Sequence, residues 1–357
     1  MIRDRGQTGI TTRSSTRRDE RNHLFRMLIS YHMKNRMKTI TLEEHFVTES
    51  FLRATGAYGN TTPAWLDALQ PKLLDLGAGR IAAMDDAGID LQVLSLAAIG
   101  FDALDAATAT LLAKDVNDEL AAAVRANSSR LAGFACLALK DPESAAKELE
   151  RSIKKLGFCG VLLDGTTAGK FLDDPQFTPV FEAAVALNIP IYLHPAPPPE
   201  AVFDTYYTGL PAGVGQMLSI AGWGWHAETA LHTLRLIASG IFDRFPTLQL
   251  IIGHMGEMLP MALVRTSQAL SHIAKLRQPV AAYFRSNIHL TTSGYFTRPP
   301  LQCALDVVGI DRLMFSIDYP FSSTTKGSDY LAELEHLLSP EDLAKLTHRN
   351  AEALLSL

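Results

Sequence analysis

The chain has 357 residues, 47% hydrophobic and 20% charged, a balance that fits a folded globular enzyme and excludes a disordered or fibrous chain. A formal net charge of -5 gives no nucleic-acid footprint, and no apolar run approaches the roughly 18–20 residues that span a bilayer. Cys136, Cys159 and Cys303 lack any CxxC pairing, which argues against a disulfide framework or a thiolate zinc site and for a reducing, cytoplasmic setting.

Residues 1–36 differ from the rest. Arg3, Arg5, Arg13, Arg17, Arg18, Arg21, Arg26 and Arg36 make the segment basic, with Ser and Thr interleaved. A transit peptide has that character, yet Asp4, Asp19 and Glu20 count against one. The expected organisation is a disordered extension over 1–36 and a single catalytic domain over 37–357.

From Met37 onward short apolar runs predict strands at Thr39–Glu44, Leu91–Ala97, Leu131–Leu139, Gly160–Asp164, Ile189–His194, Leu248–His254, Asn287–Ser293 and Leu313–Asp318. Amphipathic stretches such as Ala106–Arg125 and Glu143–Leu156 lie between them. The second has Asp141 as its cap, Pro142 in its first turn and Gly157 at its end. Ser339-Pro340-Glu341-Asp342 opens the final helix in the same way. Strands alternating with helices imply a parallel sheet, and this strand count implies a closed α/β architecture, the (β/α)8 or TIM barrel. An open doubly wound sheet is the alternative, but its Gly-rich phosphate loop is missing after the first strand. The connections Phe46–Leu76 and Pro195–Gly222 are long, as lids over a barrel mouth are.

Glu43 and His45 are two apart on the first strand, so both face one side, while Glu44 points to the helix layer. His194, His254 and Asp318 close later strands. A lone His at a strand end is commonly a hydrogen-bonded structural residue, and Asp318 before Tyr319-Pro320 reads equally as a turn cap. Their coincidence around one mouth instead predicts a site for one divalent metal, with Zn, Mn or Fe preferred to Ca by the mixed nitrogen and oxygen donors.

The segments LEEHF (Leu42–Phe46), YLHP (Tyr192–Pro195), ETALHTLRLIASGIFDRFP (Glu228–Pro246), GHMGEMLP (Gly253–Pro260), TTSG (Thr291–Gly294) and FSIDYPF (Phe315–Phe321) resemble the metal-dependent decarboxylase branch of the amidohydrolase superfamily. That branch includes γ-resorcylate, 2,3-dihydroxybenzoate and 5-carboxyvanillate decarboxylases. The resemblance implies an amidohydrolase-like barrel in which Glu43, His45, His194 and Asp318 bind one metal. Zn or Mn is expected, with Mg possible. Glu43 stands where superfamily hydrolases carry the first His of His-x-His, and the fourth strand, GVLLDG, has no Lys to bridge a second metal.

The resemblance further implies that Asp318, His254 and Glu257 are catalytic, with Glu257 orienting the His254 ring. Glu257 also reads as a carboxylate in the first turn of the following helix, favoured there by the dipole alone. Arg265 matches a position that relatives present to the substrate carboxylate, against the plainer reading of an exposed helix Arg. Phe46, Tyr295, Phe296 and Phe321 are candidate aromatic walls. The implied reaction is non-oxidative decarboxylation of an ortho-hydroxylated aromatic acid, by ring protonation followed by loss of carbon dioxide, in a homodimer or homotetramer. The alternative is a mononuclear hydrolase of a lactone, ester or amide, with Asp318 as general base.

Overall fold

The computed structural model describes residues 37–56, 68–97 and 100–357. The chain divides into units Met1–Lys38 and Thr39–Leu357. Only Met37 and Lys38 of the first unit are among the described residues, so the expected basic extension lies outside them.

The second unit is a barrel of parallel strands: β1 (Ile40–Phe46), β2 (Leu91–Leu96), β3 (Leu131–Cys136), β4 (Gly160–Asp164), β5 (Ile191–His194), β6 (Leu250–Ile252), β7 (Ile288–Thr291) and β8 (Leu313–Met314). They form an 8-stranded sheet in sequence order. The ring is completed where Glu44 bridges Tyr319 in parallel and the His45 N–H donates to the Tyr319 carbonyl at 2.7 Å. β1 is buried along its whole length, as a parallel strand covered on both faces must be. Ile40, Leu42, Val93, Phe134, Leu162, Tyr192, Ile251 and Met314 form one core cluster, joined by Ala351 and Leu355 of the C-terminal helix. Among the described residues no helix is long and apolar enough to cross a membrane.

The helix ends follow the cap chemistry. Asp141 accepts from the Ser144 N–H at 3.1 Å and opens the helix Pro142–Arg151. A π turn, Ser152–Leu156, extends it to Gly157 at φ 78, where a residue with no Cβ is at ease. Ser339 caps Pro340–Ala344 through the Asp342 N–H. The connection after β1 carries the short helices Glu49–Thr55 and Gln70–Leu74, and 57–67 lie outside the described residues. The connection after β5 carries Glu200–Tyr206 and Val214–Ser219.

β2, β3, β6, β7 and β8 stop short of the residues expected to end them, and for β6 and β8 the expected end is a candidate site residue. β6 ends at Ile252, and His254 instead enters a turn. β8 ends at Met314: the Phe315 N–H donates to the Leu346 carbonyl at 2.8 Å, and the next residues turn their donors largely to one side chain. The Ile317 and Tyr319 N–H groups donate to the Glu44 carboxylate at 2.9 and 3.2 Å, and Ser316 Oγ donates to it at 3.1 Å.

Glu44 does face outward, as strand alternation requires, and there it closes the barrel seam. Gln92 Nε2 adds a fourth contact at 3.3 Å. Burial pushes this carboxyl up to about 8, against the downward pull of its backbone donors. Arg80 lies beside it, fully buried, and donates to the His45 carbonyl at 2.7 Å and to Gln92 Oε1 at 3.4 Å. Removing the acceptor strands several buried donors, each costing about 1–3 kcal/mol. Glu44→Ala is therefore expected to lose at least ~3 kcal/mol in a urea-unfolding measurement, with a lower midpoint and little change in slope.

Candidate metal centre

β1 carries a register irregularity between Thr41 and Glu44; beyond it Glu43 and His45, two apart, face the interior, and His194 arrives from the end of β5. One ligand atom from each of these three buried residues lies within 4.8 Å of the others. Asp318 follows β8 with a left-handed φ of 70, which turns its carboxylate to the same point. One oxygen, Oδ1, lies 3.3 Å from His45 Nε2. The other, Oδ2, lies 3.9 Å from His254 Nε2. The four expected ligands and His254 are thus brought together at the strand C-terminal end.

The hydrogen-bond pattern tests whether a cation suits them. His194 Nδ1 lies 2.8 Å from the Pro195 carbonyl. A carbonyl only accepts, so Nδ1 carries hydrogen and Nε2 presents its lone pair in the neutral ring. That Nε2 faces Glu43 Oε1 at 3.3 Å. Glu43 Oε1 and His45 Nε2 are both buried without a hydrogen-bond partner. A divalent cation seated between these facing groups would satisfy them together, and the set of two imidazoles and two carboxylates suits a transition metal.

Glu43 is held from behind. Its Oε2 accepts from the hydroxyls of Tyr192, Ser293 and Thr291, leaving Oε1 for the cluster. Burial opposes ionisation, but His254, His194 and His45 together hold the carboxyl well below the usual range. Burial likewise opposes charge on His194, but Asp164 and Glu43 outweigh it and raise the imidazole to about 10, so a metal seated at Nε2 takes the place of the ring's second proton. Burial and the Glu43 charge hold the Tyr192 phenol above its ordinary value, so it remains a donor. At Gly253 a β-carbon would lie 2.6 Å from Glu43 Oε2, so any larger residue there displaces the carboxylate.

His254, Glu257 and His226 form a second buried group, already satisfied internally. Glu257 accepts from His254 Nδ1 at 2.7 Å and from His226 Nδ1 at 2.6 Å. Unlike the first group, it contains no unpartnered nitrogen or oxygen among its buried side-chain atoms. His254, Met255, Glu257 and Met258 have φ of 47, 57, 52 and 62, and Gly256 has 84, so the backbone makes a left-handed turn. Such a turn costs about 1–2 kcal/mol per non-Gly residue. It places Glu257 before the helix Leu259–Leu270 rather than in its first turn. The dipole explanation for Glu257 therefore fails, and the carboxylate instead grips two imidazoles. Burial lowers the His254 pKa, but Glu257 and Glu43 raise it to about 9.

The remaining candidates divide. Phe321 approaches His45 edge-on, with ring centroids 5.6 Å apart. Tyr295 lies 6.1 Å from His254 and 5.4 Å from His226. Phe296 packs instead on Phe315 and Tyr330. Phe46 shares the outward face of β1 with Glu44 and is buried there, so the structure does not bring it to the cluster. Arg265 is exposed on its helix, and no hydrogen bond or ion pair ties it to the cluster. Tyr192, Thr291, Ser293 and His226 were missed as site residues. The first three occur in YLHP and TTSG, where an inward-facing hydroxyl at a strand end was the available signal.

The family model described as amidohydrolase matches residues 45–357. The chain is 39% identical over 324 residues to the decarboxylase orsB of Emericella nidulans, covering 88% of this chain and 96% of that one. It is 36% identical over 330 residues to a γ-resorcylate decarboxylase of Polaromonas sp., covering 89% and 98%. A crystal structure of a dihydroxybenzoic acid decarboxylase from Polaromonas sp., with bound manganese and the inhibitor 2-nitroresorcinol, superposes with a TM-score of 0.81 at 35% identity, covering 90% of this chain and 98% of that one.

Gly253→Ala is expected to keep the barrel's circular-dichroism spectrum while lowering bound metal at least ~10-fold by elemental analysis after dialysis, the scale of loss expected when a ligand loses its orientation.

Proposed function

The chain belongs to the amidohydrolase family, and from that premise we propose that it is a metal-dependent, non-oxidative decarboxylase of an ortho-hydroxylated aromatic acid. The observation that carries this reading is the division of Asp318 between two neighbours: Oδ1 faces the ligand group at His45, and Oδ2 faces His254. One carboxyl thus links a metal cluster to a proton carrier. The decarboxylase relatives, similar over nearly the whole chain, favour this reaction over the hydrolase alternative.

Glu43, His45, His194 and Asp318 would hold one divalent ion. The manganese in the Polaromonas structure favours Mn over Zn for this chain. When bound, the ion supplies Lewis-acid charge that draws the acid's carboxylate and phenolate oxygens and fixes the ring. The protein's own groups then manage one proton. Decarboxylation of an aromatic ring leaves charge in an sp² orbital unless the carbon bearing the carboxylate is protonated first. Asp318 delivers that proton, forming the C–H bond, and the C–C bond then breaks to release carbon dioxide and restore aromaticity. The net change replaces the carboxylate by hydrogen, with no electrons gained or lost. His254 returns the proton to Asp318, and Glu257, gripped by His226, keeps the Nε2 edge of His254 turned toward the carboxylate. Phe321 and Tyr295 wall the ring. A homodimer or homotetramer in the cytoplasm is the setting we infer.

The test is a carbon-dioxide-release screen over hydroxybenzoates with metal analysis on the same samples. Release is expected from ring acids with an ortho hydroxyl, and not from analogues without one. Asp318→Asn should lower turnover at least ~10³-fold, the scale of a lost general acid. Glu43→Ala and His194→Ala should lower metal content and turnover together. Acid release from lactones or esters, without carbon dioxide from any hydroxybenzoate, would reverse the assignment.

A further inference from the structure

The opposite end of the barrel has a polar cavity of its own, about 420 Å³ in volume. It lies among strand starts: Pro190 precedes β5, Gln249 precedes β6, Arg312 precedes β8, and His289 is the second residue of β7. Val185, Leu248 and Leu354 supply apolar wall. Catalytic groups of such barrels gather at the strand C-termini, so the reaction proposed above makes no use of this cavity.

Its polar groups are incompletely paired. Arg312 Nη1 donates to Gln249 Oε1 at 3.0 Å and contacts His289 Nε2 at 2.8 Å. A guanidinium cannot accept, so His289 Nε2 is the acceptor and the ring hydrogen sits on Nδ1. Burial, with Arg312 beside it, pushes this imidazole down to about 3, so it is neutral. His289 is 93% or more buried, with a relative exposure of 7%, and its Nδ1 has no hydrogen-bond partner. Both side-chain bonds of Arg312 use Nη1. Among the described residues nothing accepts from its Nε–Nη2 edge, the fork that grips a carboxylate through two parallel bonds. The one acidic wall residue, Asp311, is paired with Lys345 at 2.8 Å.

We propose that this cavity is a second, non-catalytic binding site for a small organic carboxylate, gripped by the Nε–Nη2 edge of Arg312 with its apolar body against Val185 and Leu354. The volume falls in the range of small-molecule sites, which combine apolar wall with a few oriented polar groups.

Calorimetric titration of the metal-loaded protein with 4-fluorobenzoate, which lacks an ortho hydroxyl, tests the proposal. Binding is expected in the wild type and in His194→Ala alike, and at least ~10-fold weaker in Arg312→Met, which keeps the side chain's length and removes its fork. Ala353→Phe fills the cavity with Arg312 in place and should give the same loss, which carries the test if Arg312→Met does not fold. Three results would overturn the proposal: no binding to the wild type below about 10 mM, binding abolished by His194→Ala, or binding that survives both cavity substitutions.

Discussion

A carboxylate with no exposure to solvent sits at the centre of this barrel, and the rest of the site is arranged around its charge. Glu43 is 0% exposed. An isolated charge in that position is strongly disfavoured, and it persists only where hydrogen bonds and opposite charge surround it. Three hydroxyls from β5, β7 and the loop that follows β7 satisfy one oxygen, and three imidazoles face the group from β1, β5 and the turn after β6. The steric demand at Gly253 and the closeness of β5 and β7 at that level follow from the same requirement. The centre is thus a network assembled from most of the barrel's circumference.

Two carboxylates adjacent in sequence divide the work of holding that circle together. Strand alternation sends Glu43 inward and Glu44 outward. The inner one gathers cation-binding groups, and the outer one receives the backbone of the segment that brings Asp318 into place. Asp318 is therefore positioned by the residue next to its own partner in the metal set. Seam and centre are coupled through the peptide unit that joins Glu43 to Glu44, and Arg80 fastens the same strand further along by donating to the His45 carbonyl.

Much of this was legible in the sequence. Periodicity located the strands, the polar residues closing them pointed Glu43, His45, His194, His254 and Asp318 to one mouth, and only the family resemblance separated His254 from the other four. Strand lengths were not legible, because β6 and β8 end where a side chain or a turn replaces ladder bonding, and no local pattern announces a partner more than 270 residues away. The left-handed turn was hidden for a related reason. Met255, Glu257 and Met258 have no preference for positive φ, so only tertiary contacts impose it. Phe46 was misplaced by its proximity to the ligands, although the same alternation that turned Glu44 outward also applied to it. Tyr192 and Ser293 read as ordinary strand and loop residues until the buried charge they support is seen.

The turn from His254 to Met258 separates two kinds of anchoring. Glu43, His45 and His194 stand on β1 and β5, so strand hydrogen bonds set their positions. His254 hangs from a short strained segment fastened by Glu257 and His226, outside the strand ladder. The position of His254 therefore depends on five residues of left-handed backbone, whereas the positions of Glu43, His45 and His194 depend on the sheet as a whole.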